Sequence, residues 1–344
     1  MMKKIWKSTF ALLMALTLLV SLAACGGSPA AAPSGNAEDS QAAAPADDGK
    51  KPLTCLITEV PKGAPFTDLT WLGFEKLEAE EGMDIKMVEA MDKAEYPEQI
   101  RAMAQLGANP IYAMFDTVNE VVLDVADEFP DTKFYLIDCE MENSEPNCAN
   151  LLVDPYEASF IAGFVAAKTT ESGKLGWIGH TDHPTITRFR DGYTAGAKYA
   201  NPDIVVESAF TGDPSDPVKG QETAKIIIDR GVDVIFQSAN QSGMGVIKAC
   251  GEAGIKCIGV DEWQGDVDPC VFWSALKDID GAVYQTGKEF LEGKFTAGRV
   301  EMGIKTGSRV YDQRDFDKLP AELQTEVSQL VDDIKTGKVD IFAK

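Results

Sequence analysis

The chain has 344 residues and a formal net charge of −23, from 55 acidic and 32 basic side chains. That length is enough for two α/β units around separate cores. The charge argues against a nucleic-acid binder, because nothing supplies the basic stripe that neutralises phosphates.

Met1–Ala24 carries Lys3, Lys4 and Lys7, then an apolar run from Phe10 to Ala24. The run is short for a bilayer span and has the anatomy of a secretory signal. It ends in Leu22-Ala23-Ala24-Cys25, which resembles a bacterial lipobox and implies cleavage before Cys25 and lipid on that residue. Residues 25–50 read as a disordered tether, since Ser28–Lys50 is Ala, Pro, Gly, Ser and Asp with almost nothing to bury. Six cysteines follow: Cys55, Cys139, Cys148, Cys250, Cys257 and Cys270. Export permits disulfides. Cys139–Cys148 would close a small acidic loop and Cys250–Cys257 is a weaker candidate, whereas Cys55 reads as a buried apolar residue. With no CxxC pair, a zinc or redox motif is disfavoured.

Strands and helices then alternate. Lys51–Val60 reads as a strand, Phe66–Glu80 as a helix, Asp84–Glu89 as a strand and Tyr96–Leu106 as a helix. A third strand within Gly107–Phe115 delivers Asp116 to its end. A helix over Val118–Glu128, a strand over Lys133–Asp138 and a helix over Asp154–Thr170 complete the first pass. The second pass reads Lys174–Gly179 as strand, Ile186–Tyr199 as helix, Ile204–Ala209 as strand, Pro217–Arg230 as helix and Val232–Gln237 as strand. Met244–Ala253 is then helical, and Ile255–Val260 is a strand ending on Asp261. Helices over Asp278–Glu292 and Glu322–Lys335 flank a strand and turn within Val300–Val310. Gly73 and Gly196 lie 123 residues apart, and Gly107/Gly231 and Ile111/Ile235 each 124 apart. The pattern predicts an α/β protein of two similar lobes, each a doubly wound parallel sheet.

Open α/β sheets bind ligands at the carboxyl ends of their strands. Asn240, the backbone around Gly243 and Asp261 are therefore expected to face one crevice. Near the start of the first helix, Phe66 can stack on a flat ligand, and Asp68 lies in the same turn, while Trp71 reads as core. His180, Asp182 and His183 are too few to define a metal site. Gly243 and Gly245 do not match a dinucleotide fingerprint, and no nucleophile elbow appears.

Seven segments carry a family resemblance: PFTDLTWLGF, GANPIYAMFDTVNEVVLDVADEFPD, TRFRDGYTAGAKYANPDI, TGDPSDPVKGQETA, VDVIFQSANQSGMGVI, IGVDEWQ and SALKDIDGAVY. In this order, across Lys51 to Tyr284, they resemble the basic membrane protein family of ABC-transporter solute-binding lipoproteins, whose characterised members bind purine nucleosides. The resemblance implies the type I periplasmic-binding fold, two lobes joined by three crossovers, with residues 51–153 and 276–310 in one lobe and 154–275 and 311–344 in the other. It also implies a nucleoside-like small molecule and an ABC permease as partners, a lipid anchor on the extracytoplasmic face, no cofactor and no catalysed reaction. Carried over by position, Phe66 is the stacking aromatic and Asp116 ends a pocket strand. Asn240 and Gly243 form the turn beside the ligand, Asp261 holds ribose hydroxyls, and Lys277 lies at the cleft. The chain departs from the family at Gly63–Thr67, where an acid and an amide are lost, and at Pro214, where the second clamp aromatic falls. Trp263 replaces an acid and is expected to supply another stacking face. Two other readings share these features: a ligand-sensing lipoprotein with a signalling partner, and an α/β enzyme of unknown chemistry.

Overall fold

The computed structural model describes residues 51–342; the signal segment, Cys25 and the tether lie outside them. Apolar β-rich runs form eleven strands in two sheets, and every pairing between named strands is parallel. The first sheet takes β1 (Leu53–Thr58), β2 (Asp84–Glu89), β3 (Ala108–Met114), β4 (Phe134–Ile137) and β5 (Cys148–Val153). The second takes β6 (Lys174–Gly179), β7 (Val205–Phe210), β8 (Val234–Ser238), β9 (Lys256–Asp261) and β10 (Val271–Leu276). The chain then returns, and β11 (Gly298–Met302) pairs with β5. The orders are β2-β1-β3-β4-β5-β11 and β7-β6-β8-β9-β10, so both sheets reverse direction beside their first strand. A crevice opens at that reversal in doubly wound sheets.

Helices cover both faces of each sheet, which is why the central strands read as unbroken apolar runs. In the first lobe α1 (Pro65–Lys76) and α8 (Ile279–Leu291) pack over Leu56, Tyr112 and Tyr135. Across that sheet, α2 (Tyr96–Gln105) and α3 (Asp116–Val125) cover Ile57, Ile111 and Leu136. In the second lobe α4 (Pro155–Thr169), α5 (Pro184–Ala200) and α10 (Ala321–Lys335) enclose Trp177, Phe236 and Trp273. There α6 (Pro217–Ile228) and α7 (Ser242–Ala253) close the other face over Ile178 and Ile235. A short α9 (Gln313–Phe316) precedes α10.

The repeated glycines have one physical role in both lobes. A β-carbon on Gly73 would lie 2.5 Å from the Asp280 carbonyl oxygen of α8, and one on Gly196 1.8 Å from the Phe160 carbonyl oxygen of α4. Each lets two helices touch backbone to backbone.

Two strands were not expected from the sequence, β5 and β10. The proposed Cys139–Cys148 bridge is also corrected: both thiols are free and buried, as are Cys250 and Cys257. Amides close the 139–148 loop instead. Asn150 Nδ2 donates to the Cys139 carbonyl at 2.9 Å, and Asn143 Nδ2 donates to the Cys148 carbonyl at 3.0 Å. Cys55 is a buried free thiol within β1, its pKa pushed up to about 12 by burial.

Candidate ligand-binding cleft

A cavity of about 690 Å³ lies against the carboxyl ends of both sheets. Phe66, Phe115, Asp116 and Asp138 reach it from the first lobe, and His180, Asn240, Asp261 and Trp263 from the second. Lys277, where β10 leaves the second sheet, lies on the wall as well. Strand ends fix these positions, since Phe115 follows β3, Asp138 follows β4 and Asp261 closes β9.

The backbone there is unusual. Among the described residues the non-glycine residues with positive φ are Phe115 at 78°, Asp138 at 54°, Asn240 at 53° and Asp261 at 65°, and all four line the cavity. Phe115, with ψ 144°, sits in a region otherwise used by glycine. Such conformations cost about 1–3 kcal/mol each and persist where the surroundings over-determine them, commonly at ligand sites.

Lys277 is the buried cation of the site, its side chain 5% exposed. Its ammonium pairs with Asp138 and stands 5.1 Å from the Phe66 ring centroid, so charge pairing and ring contact are held together. The Lys277 backbone N–H donates to the Asp261 carbonyl at 2.9 Å, tying the crossover to β9. Phe66 also meets Phe115 edge-on, with centroids 6.2 Å apart.

Asp261 has a buried carboxylate oxygen, Oδ1, with no hydrogen-bond partner, and the Ser238 hydroxyl at the end of β8 is likewise unpartnered. Burial pushes the Asp261 carboxyl up to about 6; Lys277 partly offsets this, while Asp138 and Glu262 add to it. Buried acceptors without partners are rare in folded proteins, and a ligand donor resolves the deficit.

Two expected site residues do not line the cavity. Asp68 turns back to close its own loop, with Oδ1 accepting the Gly63 N–H at 2.8 Å. Gly243 is buried against Gln237, where a β-carbon would fall 1.9 Å from Oε1; it admits that side chain and is not on the cavity wall. Trp263 is on the wall, but its ring is already engaged. The Arg314 guanidinium lies 3.6 Å from its centroid, and Nε1 donates to buried Asp315 at 3.0 Å. Asp315 also accepts from Ser274 Oγ at 2.8 Å, so Trp263 braces the wall with one face covered by Arg314. Cavity-lining residues that sequence reasoning passed over include Phe115, Asp138 and His180. Among the described residues no group of three or more His, Cys, Asp or Glu side chains is arranged to hold a metal. No described helix is long and apolar enough to cross a membrane.

Two parallel-sheet lobes with a cleft at their strand ends define the type I periplasmic-binding fold. The chain belongs to the PnrA-like ABC-transporter substrate-binding proteins, whose family model matches residues 50–341. It is 30% identical to "Basic membrane protein A" of Borreliella afzelii, over 77% of this chain and 83% of the relative. It is 26% identical to "ABC transporter nucleoside-binding protein BmpA" of Lactococcus lactis, over 81% of this chain and 85% of the relative. Among solved structures, an ABC-transporter solute-binding protein from Aeropyrum pernix superposes with a TM-score of 0.70 at 25% identity, covering 84% of this chain and 92% of that one. The chain is thus an extracytoplasmic solute-binding component of an ABC transporter, taking a small polar ligand between its lobes.

Proposed function

We propose that the solute is a nucleoside, released after capture to a cognate permease. The observation that carries this reading is Asp261, a carboxylate held by β9 at the cavity wall with an unpartnered oxygen. An ionised carboxylate only accepts hydrogen bonds, and its two oxygens suit the two adjacent hydroxyl donors of a ribose. Phe66 supplies a ring for the base, one side of it neighboured by Lys277. The name of the Lactococcus relative supports the same substrate class. Mass spectrometry of small molecules released from the purified protein tests it: a nucleoside is expected, and a sugar or amino acid in its place contradicts it.

The lobes follow the sheets in this reading, 51–153 with 276–302 and 154–275 with 303–342, so the last boundary moves back from the expected 310. Ile304 and Val310 pack into the core around Trp177, so the last crossover makes its contacts from Gly303 onward with the second lobe. Closing the lobes on ligand is the working motion, and no chemistry follows. The lipid anchor rests on Leu22-Ala23-Ala24-Cys25. Cys25→Ser is expected to shift the protein from the detergent phase to the aqueous phase or leave it unprocessed; unchanged partitioning removes the anchor.

The raised carboxyl of Asp261 makes binding depend on pH. Hydroxyl donors favour the charged form, so bound ligand lowers a pKa that stands at about 6 in the free cleft, and binding releases a proton. Affinity is therefore level above about pH 7 and weakens as pH falls through about 6, approaching tenfold per unit. Titrations from pH 5 to 8 check this, with Asp261→Asn expected to remove the carboxyl's part of the slope.

A further inference from the structure

The second lobe contributes four rings to the cavity wall, and they are not equivalent. Trp263 has one face covered by Arg314, with its Nε1 spent on Asp315. Phe189 is 5% exposed and packs edge-on against Phe236. His183 caps α5, its Nδ1 accepting the Thr185 N–H at 3.4 Å. His180 remains. It is half-buried, and its backbone carbonyl accepts the Gly212 N–H at 2.8 Å. Its Nδ1 lies 2.9 Å from Thr181 Oγ1, which orients the ring, and Nε2 has no hydrogen bond among the described residues. Of the other polar side chains of this wall, the buried Ser238 hydroxyl at the end of β8 is also unpartnered but carries no ring. Asn240 and Gln241 are exposed amides with no side-chain hydrogen bond among the described residues. The Gln264 carbonyl oxygen accepts from Gln237 Nε2 at 2.8 Å and from the Val260 N–H at 3.2 Å.

We propose that His180 determines base specificity in this cleft, its imidazole Nε2–H donating a hydrogen bond to an acceptor on the nucleobase edge. The proposal rests on the nucleoside reading above. In this proposal the Thr181 hydroxyl donates to Nδ1, the tautomer that puts the proton of a neutral ring on Nε2. Burial and the neighbouring His183 hold His180 below the usual imidazole range, which favours the neutral ring beside Asp261, Glu262 and Asp266 on the same wall. A neutral ring of this tautomer carries one donor, on Nε2, at the cavity wall. Bases that present a carbonyl or a ring nitrogen there are accepted, and a base lacking an acceptor leaves the donor unpaired. The second family aromatic falls on Pro214 here, whose carbonyl accepts the Ser242 N–H at 3.1 Å; Pro214 itself is not on the cavity wall. His180 thus supplies from the β6–α5 loop a flat group that position 214 does not.

The test is calorimetric titration of wild type, His180→Ala, His180→Phe and His180→Gln with inosine and with uridine, after thermal melts confirm that each variant is folded. Loss of the donor is expected to weaken binding about tenfold in the Ala and Phe variants. The Gln variant, whose amide N–H can replace Nε2–H, is expected to stay within about threefold of wild type. Wild-type affinity in His180→Ala overturns the proposal and leaves the nucleoside reading standing. Retention in His180→Phe with loss in His180→Gln also overturns it, because a ring without a donor would then suffice. If wild type binds none of adenosine, guanosine, inosine, uridine and cytidine, the underlying reading fails and His180 loses its role with it; if it binds one of the other three, the variants are titrated with that one.

Discussion

Asp261→Ala is expected to weaken a ribonucleoside by roughly 100-fold. Hydrogen bonds to a charged group are worth about 1.5–3 kcal/mol each in net terms, so two at the lower value amount to about 3 kcal/mol, or two decades. Asp261 is fixed at the end of β9, and the Lys277 N–H on its carbonyl holds the backbone, so its truncation leaves the wall in place. A 2′-deoxynucleoside should bind wild type more weakly than its ribose counterpart, and the difference should nearly vanish in the variant. Titration of both proteins with both ligands separates a ribose contact from a solvated strand-end acid. Equal ribose-to-deoxyribose ratios in the two proteins remove Asp261 from the ligand.

Lys277→Met is expected to cost about 3–5 kcal/mol of folding stability, because it removes one partner of a buried ion pair and strands the other. Asp138 keeps a left-handed backbone and a largely covered carboxylate, 22% exposed, that has lost its cation. Asp261 loses the charge that partly offsets its burial, so its carboxyl rises further above about 6. Binding should weaken with stability in this variant, and the pH below which affinity falls should move upward. The double variant Lys277→Met/Asp138→Leu should recover much of the stability, since an apolar pair of similar volume often replaces a buried ion pair without loss. Urea unfolding of both variants gives the numbers; a single variant as stable as wild type contradicts the buried-pair account.

Much of the fold was legible because it rests on local signals. The apolar runs of β1, β3, β6 and β9 stand out, and Gly73 and Gly196 recur because each lobe brings two helices into backbone contact. β5 and β10 were not legible, and the reason is the same for both. Each carries a buried polar residue that breaks the apolar run, Asn150 in β5 and Ser274 in β10. Asn150 is satisfied by the carbonyls of Cys139 and Met141 in a folded-back loop, and Ser274 by Asp315, 41 residues later. Those partners exist only after folding. The cleft divides similarly. Phe66 and Asp261 sit at strand or helix ends that periodicity marks. Asp138 acquires its meaning from Lys277, 139 residues away, and Trp263 has one face covered by Arg314, which no local pattern brings to it. Asp68 and Gly243 have the right neighbours in sequence, but their atoms turn to Gly63 and Gln237.

The central claim is that the cleft captures a nucleoside. Isothermal titration of the ligand-stripped protein with adenosine, guanosine, inosine, uridine and cytidine tests it most directly. The account predicts saturable one-site binding of at least one of them and recovery of that nucleoside chemically unchanged after incubation. No binding of any of the five, or conversion of the bound nucleoside to a product, would contradict it.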